Sequence, residues 1–373
     1  MRKRRRAGPY GSRIAPGKYG KMNERLSPWK KRIRLVGSYF RGRPLWCAWQ
    51  ATYRCNFRCS FCNYWESPVR AEEEQSLQDI RRGAANLARI GSLLVSVAGG
   101  EPLIRPDLPQ MVSALAEHHF PLVTTNGWLA TRELARTLFR AGLWGVSISL
   151  DYATAERHDR QRGVKGAFDR AVRALKIFSE ERRACWQRVN IMAVLNHENL
   201  DDMEPLIQLA LDHNAWFMVQ PYSRLKTGER RFIHPVGAGQ RLLALRKKYP
   251  NFLSNPLFLE RFDAAADGGV PGCLAGKAFF NIDNFGRVAQ CVEERAHPVG
   301  FIHSDPIETL LARLAERRAQ SRCQACWYNC RGEIESLYTL SGALHSLPTL
   351  LMTSREANPK QRLLSASSKG LAR

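Results

Sequence analysis

Three cysteines stand close together in the segment CNFRCSFC: Cys55, Cys59 and Cys62, at spacings x3 and x2. Thiolates this near in sequence can wrap one inorganic centre. The odd number matters. A structural zinc site takes four protein ligands. A 4Fe–4S cluster held by three thiolates leaves one iron open to an exogenous ligand. An open iron can bind a small molecule and pass it an electron. The competing reading is a zinc site completed by a histidine such as His118 or His119. Cys47 reads as a small core residue, and Cys185, with no cysteine nearby, as structural.

Further along, Ala98–Gly99–Gly100–Glu101–Pro102 places two glycines before a carboxylate. Glycine lets a backbone approach a ligand closely. Arg105–Pro106–Asp107 follows and suits the start of a helix. Three more polar stretches end apolar runs: Thr124–Thr125–Asn126–Gly127, Ser147–Ile148–Ser149–Leu150–Asp151 and Leu195–Asn196–His197. A second cysteine group comprises Cys273 and Cys291, then Cys323, Cys326 and Cys330 at spacings x2 and x3. Four of these five thiols would complete a 4Fe–4S cluster. A zinc-ribbon-like site is the alternative, because a CxxC pair alone fits zinc equally well.

Together these motifs resemble those of the radical S-adenosylmethionine (radical SAM) enzymes. The family's three-cysteine loop matches Cys55, Cys59 and Cys62, with the aromatic Phe61 before the last cysteine. Its GGEP motif matches Gly99, Gly100 and Glu101, with Ala98 where the family often has threonine. The resemblance implies that the open iron is chelated by S-adenosylmethionine, whose amino group is held at the GGE segment. It further implies reductive cleavage to a 5′-deoxyadenosyl radical, which abstracts hydrogen from an unactivated C–H group. Ser149 or Asp151 would hydrogen-bond the ribose or methionine part of the cofactor, Asn196 would lie at the same rim of the cofactor site, and the backbone of Gln220–Pro221–Tyr222 would border the adenine. The downstream pattern Cys–x12–Gly–x4–Cys, ending on Cys291 and followed by CxxC, resembles the SPASM extension or its shortened form, Twitch. That likeness implies one auxiliary 4Fe–4S cluster on Cys273, Cys291, Cys323 and Cys326, with Cys330 surplus or a substitute ligand.

The elements that must position these residues are legible from Pro44 onward. Strands are expected at 45–53, 93–98, 122–125, 144–150, 189–195 and 216–221. Between them lie helical patterns at 76–90, 107–118, 131–140, 167–180 and 200–212. Strands alternating with helices imply βαβ units and a parallel sheet. Six units fit an α/β fold, a partial (β/α)6 barrel with its chemistry at the C-terminal strand ends. The segmentation is a basic flexible arm (1–43) with a weak helical patch at 26–36, the barrel (44–222), a linker with one helix (223–270), a small SPASM/Twitch-like iron–sulfur domain (271–331), and an amphipathic Leu-rich segment with a basic tail (332–373). Within the fourth of these, 279–282 and 288–291 flank a hairpin turn, and 307–318 is helical.

In 373 residues, 57 Lys and Arg face 34 Asp and Glu, a net charge of +23. Residues 1–43 carry fifteen basic side chains against one Glu, a net of +14. Such an arm attracts polyanions, and with the Leu-rich segment it suits peripheral contact with an anionic membrane. Tyr10, Tyr19, Trp29 and Tyr39 interleave with it, which also suits nucleic acid, though no base-reading module is visible. No run of about 18 apolar residues occurs, and no export signal, so the expected compartment is the cytoplasm, with thiols reduced. The expected partners are S-adenosylmethionine, a peptide or small-molecule substrate, and an electron donor such as flavodoxin or ferredoxin. Modification of a membrane lipid or nucleic acid is the nearest alternative. A non-catalytic zinc protein that binds polyanions is the alternative of another class.

Overall fold

A computed structural model describes residues 25–339, apart from Cys185, and also Gly342. The chain runs α1 (Pro28–Phe40), β1 (Trp46–Thr52), α2 (Leu77–Leu87), β2 (Leu94–Gly99), α3 (Leu108–Ala116), β3 (Phe120–Thr125), α4 (Arg132–Arg140) and β4 (Gly145–Ser149). It continues through α5 (Ala155–Arg162), α6 (Ala167–Glu181), β5 (Arg188–Leu195), α7 (Met203–Asp212), β6 (Trp216–Pro221), α8 (Ala238–Lys248), α9 (Pro256–Leu259) and α10 (Phe262–Asp267). It ends with β7 (Phe279–Ile282), β8 (Arg287–Ala289), β9 (Gly300–Phe301), α11 (Ile307–Gln320) and α12 (Asn329–Glu335).

All strands join one sheet in the order β6-β5-β4-β3-β2-β1-β7-β8-β9, parallel as far as β7. Each of the six barrel strands alternates. Cys47, Trp49, Val95, Val97, Val123, Val146, Ile148, Ile191 and Val219 face outward into the main core under the helices. Ala48, Gln50, Ser96, Thr124, Ser147, Asn190, Met192, Met218 and Gln220 line one internal cavity. One cavity bordered by all six strands means that the sheet curls into an open barrel, as the alternation of βα units requires. Most of these inward residues are small or polar, Met192 and Met218 apart, and the interior holds a cavity where an ordinary barrel core would be packed.

Three expectations change. Residues 28–40 are not a flexible arm: α1 is capped by Ser27, and its Ser38 and Lys31 are buried against the barrel. Residues 223–270 are not a linker. Leu242, Phe252, Phe258, Leu259 and Phe262 join the main core, and Phe252 bridges to Phe217 of β6. The cysteine-bearing unit is not set apart either, because β7 continues the barrel sheet by pairing with β1. α12 contacts β1, β7 and α9, and its Asn329, Cys330, Glu333 and Ile334 line the cavity. It fills the side of the barrel that six strands leave open. Of the Leu-rich segment, Ile334 and Leu337 pack inward rather than outward. The remainder of that segment, the basic tail and the first 24 residues lie outside the described residues, as does Cys185.

Candidate active site

Cys55, Cys59 and Cys62 sit in the loop after β1 and line a cavity of about 570 Å³. Phe57, Phe61, Ala167, Tyr222 and Phe232 form an apolar cluster around them. The Cys62 amide donates to the Cys59 carbonyl (3.2 Å), and the Phe57 amide donates to the Cys55 sulfur (3.4 Å). Burial pushes the Cys55 thiol up to about 11, against the Phe57 amide that favours its thiolate. Burial takes Cys59 to about 12, opposed by the Arg162 guanidinium. Arg162 lies 4.0 Å from the Cys59 sulfur, stacks over Phe61 and pairs with Asp151 at 2.7 Å. Burial alone would lower Arg162; Asp151 and Cys59 hold it above its usual value. Buried thiols this reluctant to ionise need a cationic partner, and this donor set of reduced sulfurs fits an iron–sulfur cluster. Among the described residues, no three His, Cys, Asp or Glu side chains are gathered tightly enough to hold a single metal ion. His118 and His119 precede β3, at the end of the barrel where strands begin. The His119 ring is buried there between the Leu93 amide (3.3 Å) and the Ala84 carbonyl (3.2 Å). They cannot complete a zinc site with the cysteine loop, which follows a strand.

The glycines of the GGE segment answer to the protein itself. Gly99 has φ +119°, and a Cβ there would lie 2.1 Å from the Thr52 carbonyl oxygen. A Cβ on Gly100 would lie 2.2 Å from the Arg54 carbonyl. The Gly100 amide donates to Thr52 (2.7 Å) and the Glu101 amide to Arg54 (2.9 Å). The end of β2 is thereby stitched to the chain entering the cysteine loop. Both glycines also line the cavity. Glu101 also lines it. Its carboxylate accepts from Thr125 Oγ1 (2.7 Å), the Asn126 amide (2.7 Å) and the Leu103 amide (2.9 Å). Burial raises its pKa to about 7, with those donors pulling the other way. Asn126 also donates to Asn56 in the cysteine loop (2.9 Å).

Ser149 lines the cavity, but Asp151 and Asn196 do not. The Asp151 carboxylate is taken by Arg162 and the Val194 amide (2.8 Å). Asn196 is engaged by the Tyr152 hydroxyl and the Glu198 amide. Both fasten the rim from outside, because polar side chains just past the strand ends turn into the loop network. Arg105 grips Asp107 and the Ala51 and Gln75 carbonyls, a structural part as expected.

In the second group, Cys273, Cys291, Cys326 and Cys330 are part-buried neighbours whose charges act on one another. Burial pushes Cys273 to about 11 and both Cys291 and Cys326 to about 12. Cys330 is raised well above its usual value by the same cause. Cys323 is exposed. The mutually acting thiols thus include Cys330, the substitute ligand of the sequence reading, while the exposed Cys323 still acts on Cys273. The helical turn opening α12 carries Cys330 inward, and Cys330 also lines the barrel cavity. Arg331, fully buried, donates to the Cys326 carbonyl (2.7 Å), to the Pro271 carbonyl (3.1 Å) and to Glu335, tying the Cys273 segment to the stretch that carries Cys326 and Cys330.

A polar bridge, not foreseen from the sequence, joins the two thiol sites. Lys226 pairs with Glu293 at 2.8 Å and sits 4.1 Å over the Tyr64 ring. The Tyr328 hydroxyl donates to Glu293 (2.8 Å). Tyr64 is two residues past Cys62, Glu293 two past Cys291, and Tyr328 between Cys326 and Cys330. Arg162 was not foreseen either. It ends α5, a short, strongly polar helix without apolar periodicity.

A family model for the radical SAM superfamily matches residues 49–210. Mycofactocin maturase MftC of Mycolicibacterium smegmatis is 31% identical over 323 residues, covering 80% of this chain and 80% of that one. The chain belongs to the radical SAM superfamily. As a radical SAM enzyme it works with a 4Fe–4S cluster and S-adenosylmethionine. Fe-coproporphyrin III synthase of Methanosarcina barkeri is 35% identical over 162 residues, 43% of this chain and 39% of that protein. The structure of Streptococcus suis SuiB bound to its precursor peptide SuiA superposes with a TM-score of 0.59, at 18% identity, over 76% of this chain and 67% of that chain. That likeness is one of fold. Among the described residues, no helix of this radical SAM enzyme is long and apolar enough to cross a membrane.

Proposed function

We propose that this radical SAM enzyme modifies a peptide substrate at an unactivated C–H position. In this reading Cys55, Cys59 and Cys62 hold the catalytic 4Fe–4S cluster, and Cys273, Cys291, Cys326 and Cys330 an auxiliary one. When bound, the catalytic cluster and S-adenosylmethionine supply a 5′-deoxyadenosyl radical that abstracts hydrogen. Glu101, held by three donors and facing the cavity, orients the cofactor's amino group. Gly99 and Gly100 keep that carboxylate beside the cysteine loop, and Ser149 offers a hydroxyl on the same wall. Phe57, Phe61 and Tyr222 exclude water from the sulfurs. The observation that carries the reading is the lining of a single cavity. It brings Cys55, Cys59, Cys62, Glu101 and Cys330 to one space, bordered by Gln50, Ser147, Asn190, Gln220 and Asn329. Amide and hydroxyl side chains of that kind suit the N–H and C=O groups of a peptide main chain. A relative that matches along most of both chains is named a maturase, which favours the same class. A flavodoxin or ferredoxin would supply the electron.

Anaerobically reconstituted protein should be brown and hold roughly eight irons in two four-iron clusters. It should release 5′-deoxyadenosine from S-adenosylmethionine under reduction. Cys55→Ala should abolish that release. Colourless, zinc-containing protein would sink the enzyme reading. Candidate precursor peptides should increase turnover and change mass. If only a porphyrin or other small metabolite did so, the peptide assignment would fail while the enzyme class stood.

A further inference from the structure

α1 has two unlike faces and no acidic residue. Its inner face is anchored to the end of the barrel where strands begin. Lys31 donates to the Ala116 and His119 carbonyls, the Ser38 hydroxyl to the Ile90 carbonyl (3.1 Å), and the Tyr39 hydroxyl to the Leu337 carbonyl (2.8 Å). Leu35 packs on the apolar cluster beneath. On the outer face, Trp29, Ile33 and Phe40 are 65%, 54% and 75% exposed. They are three of the six large apolar side chains exposed among the described residues. At about 100° per residue, spacings of four and seven put all three within roughly 40° of one another, opposite the anchoring face. Lys30 and Arg41 stand exposed beside this stripe, and residues 1–43 carry +14.

We propose that the outer face of α1 is an interfacial surface that lays this end of the barrel on an anionic lipid bilayer. Trp29, Ile33 and Phe40 would enter the boundary between headgroups and acyl chains. The basic side chains would meet the anionic headgroups. Charge selects this occupant. A cationic border around an apolar stripe is complementary to a surface that is negative outside and apolar beneath. A nucleic acid would answer the charge but leave Ile33 and Phe40 in water. In this pose the opposite end of the barrel, with Cys55, Cys59 and Cys62, faces the aqueous side. The inference is independent of the substrate class argued above.

The test is co-sedimentation of the full, iron-loaded chain with vesicles of phosphatidylcholine, with and without phosphatidylglycerol. Wild type should sediment only with the anionic vesicles, and less as salt rises. The double variant Trp29→Glu, Ile33→Glu should partition at least about tenfold more weakly, with iron content and circular dichroism unchanged. Val236→Glu, at an exposed apolar position elsewhere, should bind as wild type does. Absence of wild-type binding to anionic vesicles would overturn the proposal. So would full binding by the double variant. So would a vesicle-free dimer that the double variant dissolves, because the stripe would then serve a second copy of the chain.

Discussion

Glu101 is held by three hydrogen-bond donors in a water-poor site, and its carboxyl titrates near 7 instead of its ordinary 4.5. The folded protein therefore binds a proton that the unfolded chain has already released between about 4.5 and 7. Stability should fall as pH rises through that window. Glu101→Gln should flatten the slope, as measured by anaerobic urea unfolding without S-adenosylmethionine, and should weaken cofactor binding. An unchanged slope would mean that the carboxyl is not buried as described. The neighbouring glycine is stricter still. Gly99→Ala combines a positive φ with a Cβ 2.1 Å from the Thr52 oxygen, and should cost about 3 kcal/mol or more. Gly166→Ala, at φ +84° with nothing within 4 Å, should cost about 1 kcal/mol. Thermal unfolding of the two variants separates a clash from simple backbone preference. The auxiliary thiols allow an equally sharp comparison. Cys330→Ser should lose the auxiliary iron and Cys323→Ser should keep it, read as iron per chain. The opposite pattern would restore the assignment that the CxxC spacing suggests.

Among elements, α12 and the Lys226 bridge decide how the two thiol sites meet. α12 packs on β1, β7 and α9, so one helix borders both the barrel cavity and the second cysteine group. Lys226 and Glu293 are largely buried, and removing one partner leaves the other's charge stranded. Lys226→Met should cost about 3 kcal/mol. Adding Glu293→Gln should recover part of that loss, because no charge is then left unpaired. Chemical denaturation of the two singles and the double gives the coupling directly. A simply additive double variant would show that the two side chains act separately. Gly332 of α12 packs against Phe258, whose Cδ2 would lie 1.9 Å from an added Cβ. Gly332→Ala should therefore loosen the seating of the helix by about 1–3 kcal/mol.

On the scale of the whole molecule, the two thiol sites and the fold are linked through one sheet. β7 extends β1, and the cysteine loop begins where β1 ends. Iron stabilises only the folded state, so its removal should lower stability in a cooperative step, provided the unfolded thiols bind metal weakly. Chelation followed by calorimetry should show one lowered transition for barrel and C-terminal unit together. Two separate transitions would mean that the shared sheet does not couple them.

The six strands, their helices, the cysteine loop and the GGE segment were all legible in the amino-acid order. Hydrophobic period and short ligand spacing are local, and a local pattern survives without a fold. The structure alone decided that Asp151 serves Arg162, that Asn196 is taken by Tyr152 and Glu198, and that Cys330 lies among the buried thiols. It also decided that Lys226 reaches Glu293 and that residues 223–270 are core. Those outcomes depend on side chains far apart in sequence competing for the same space, charge and donors, and only the folded chain brings the competitors together.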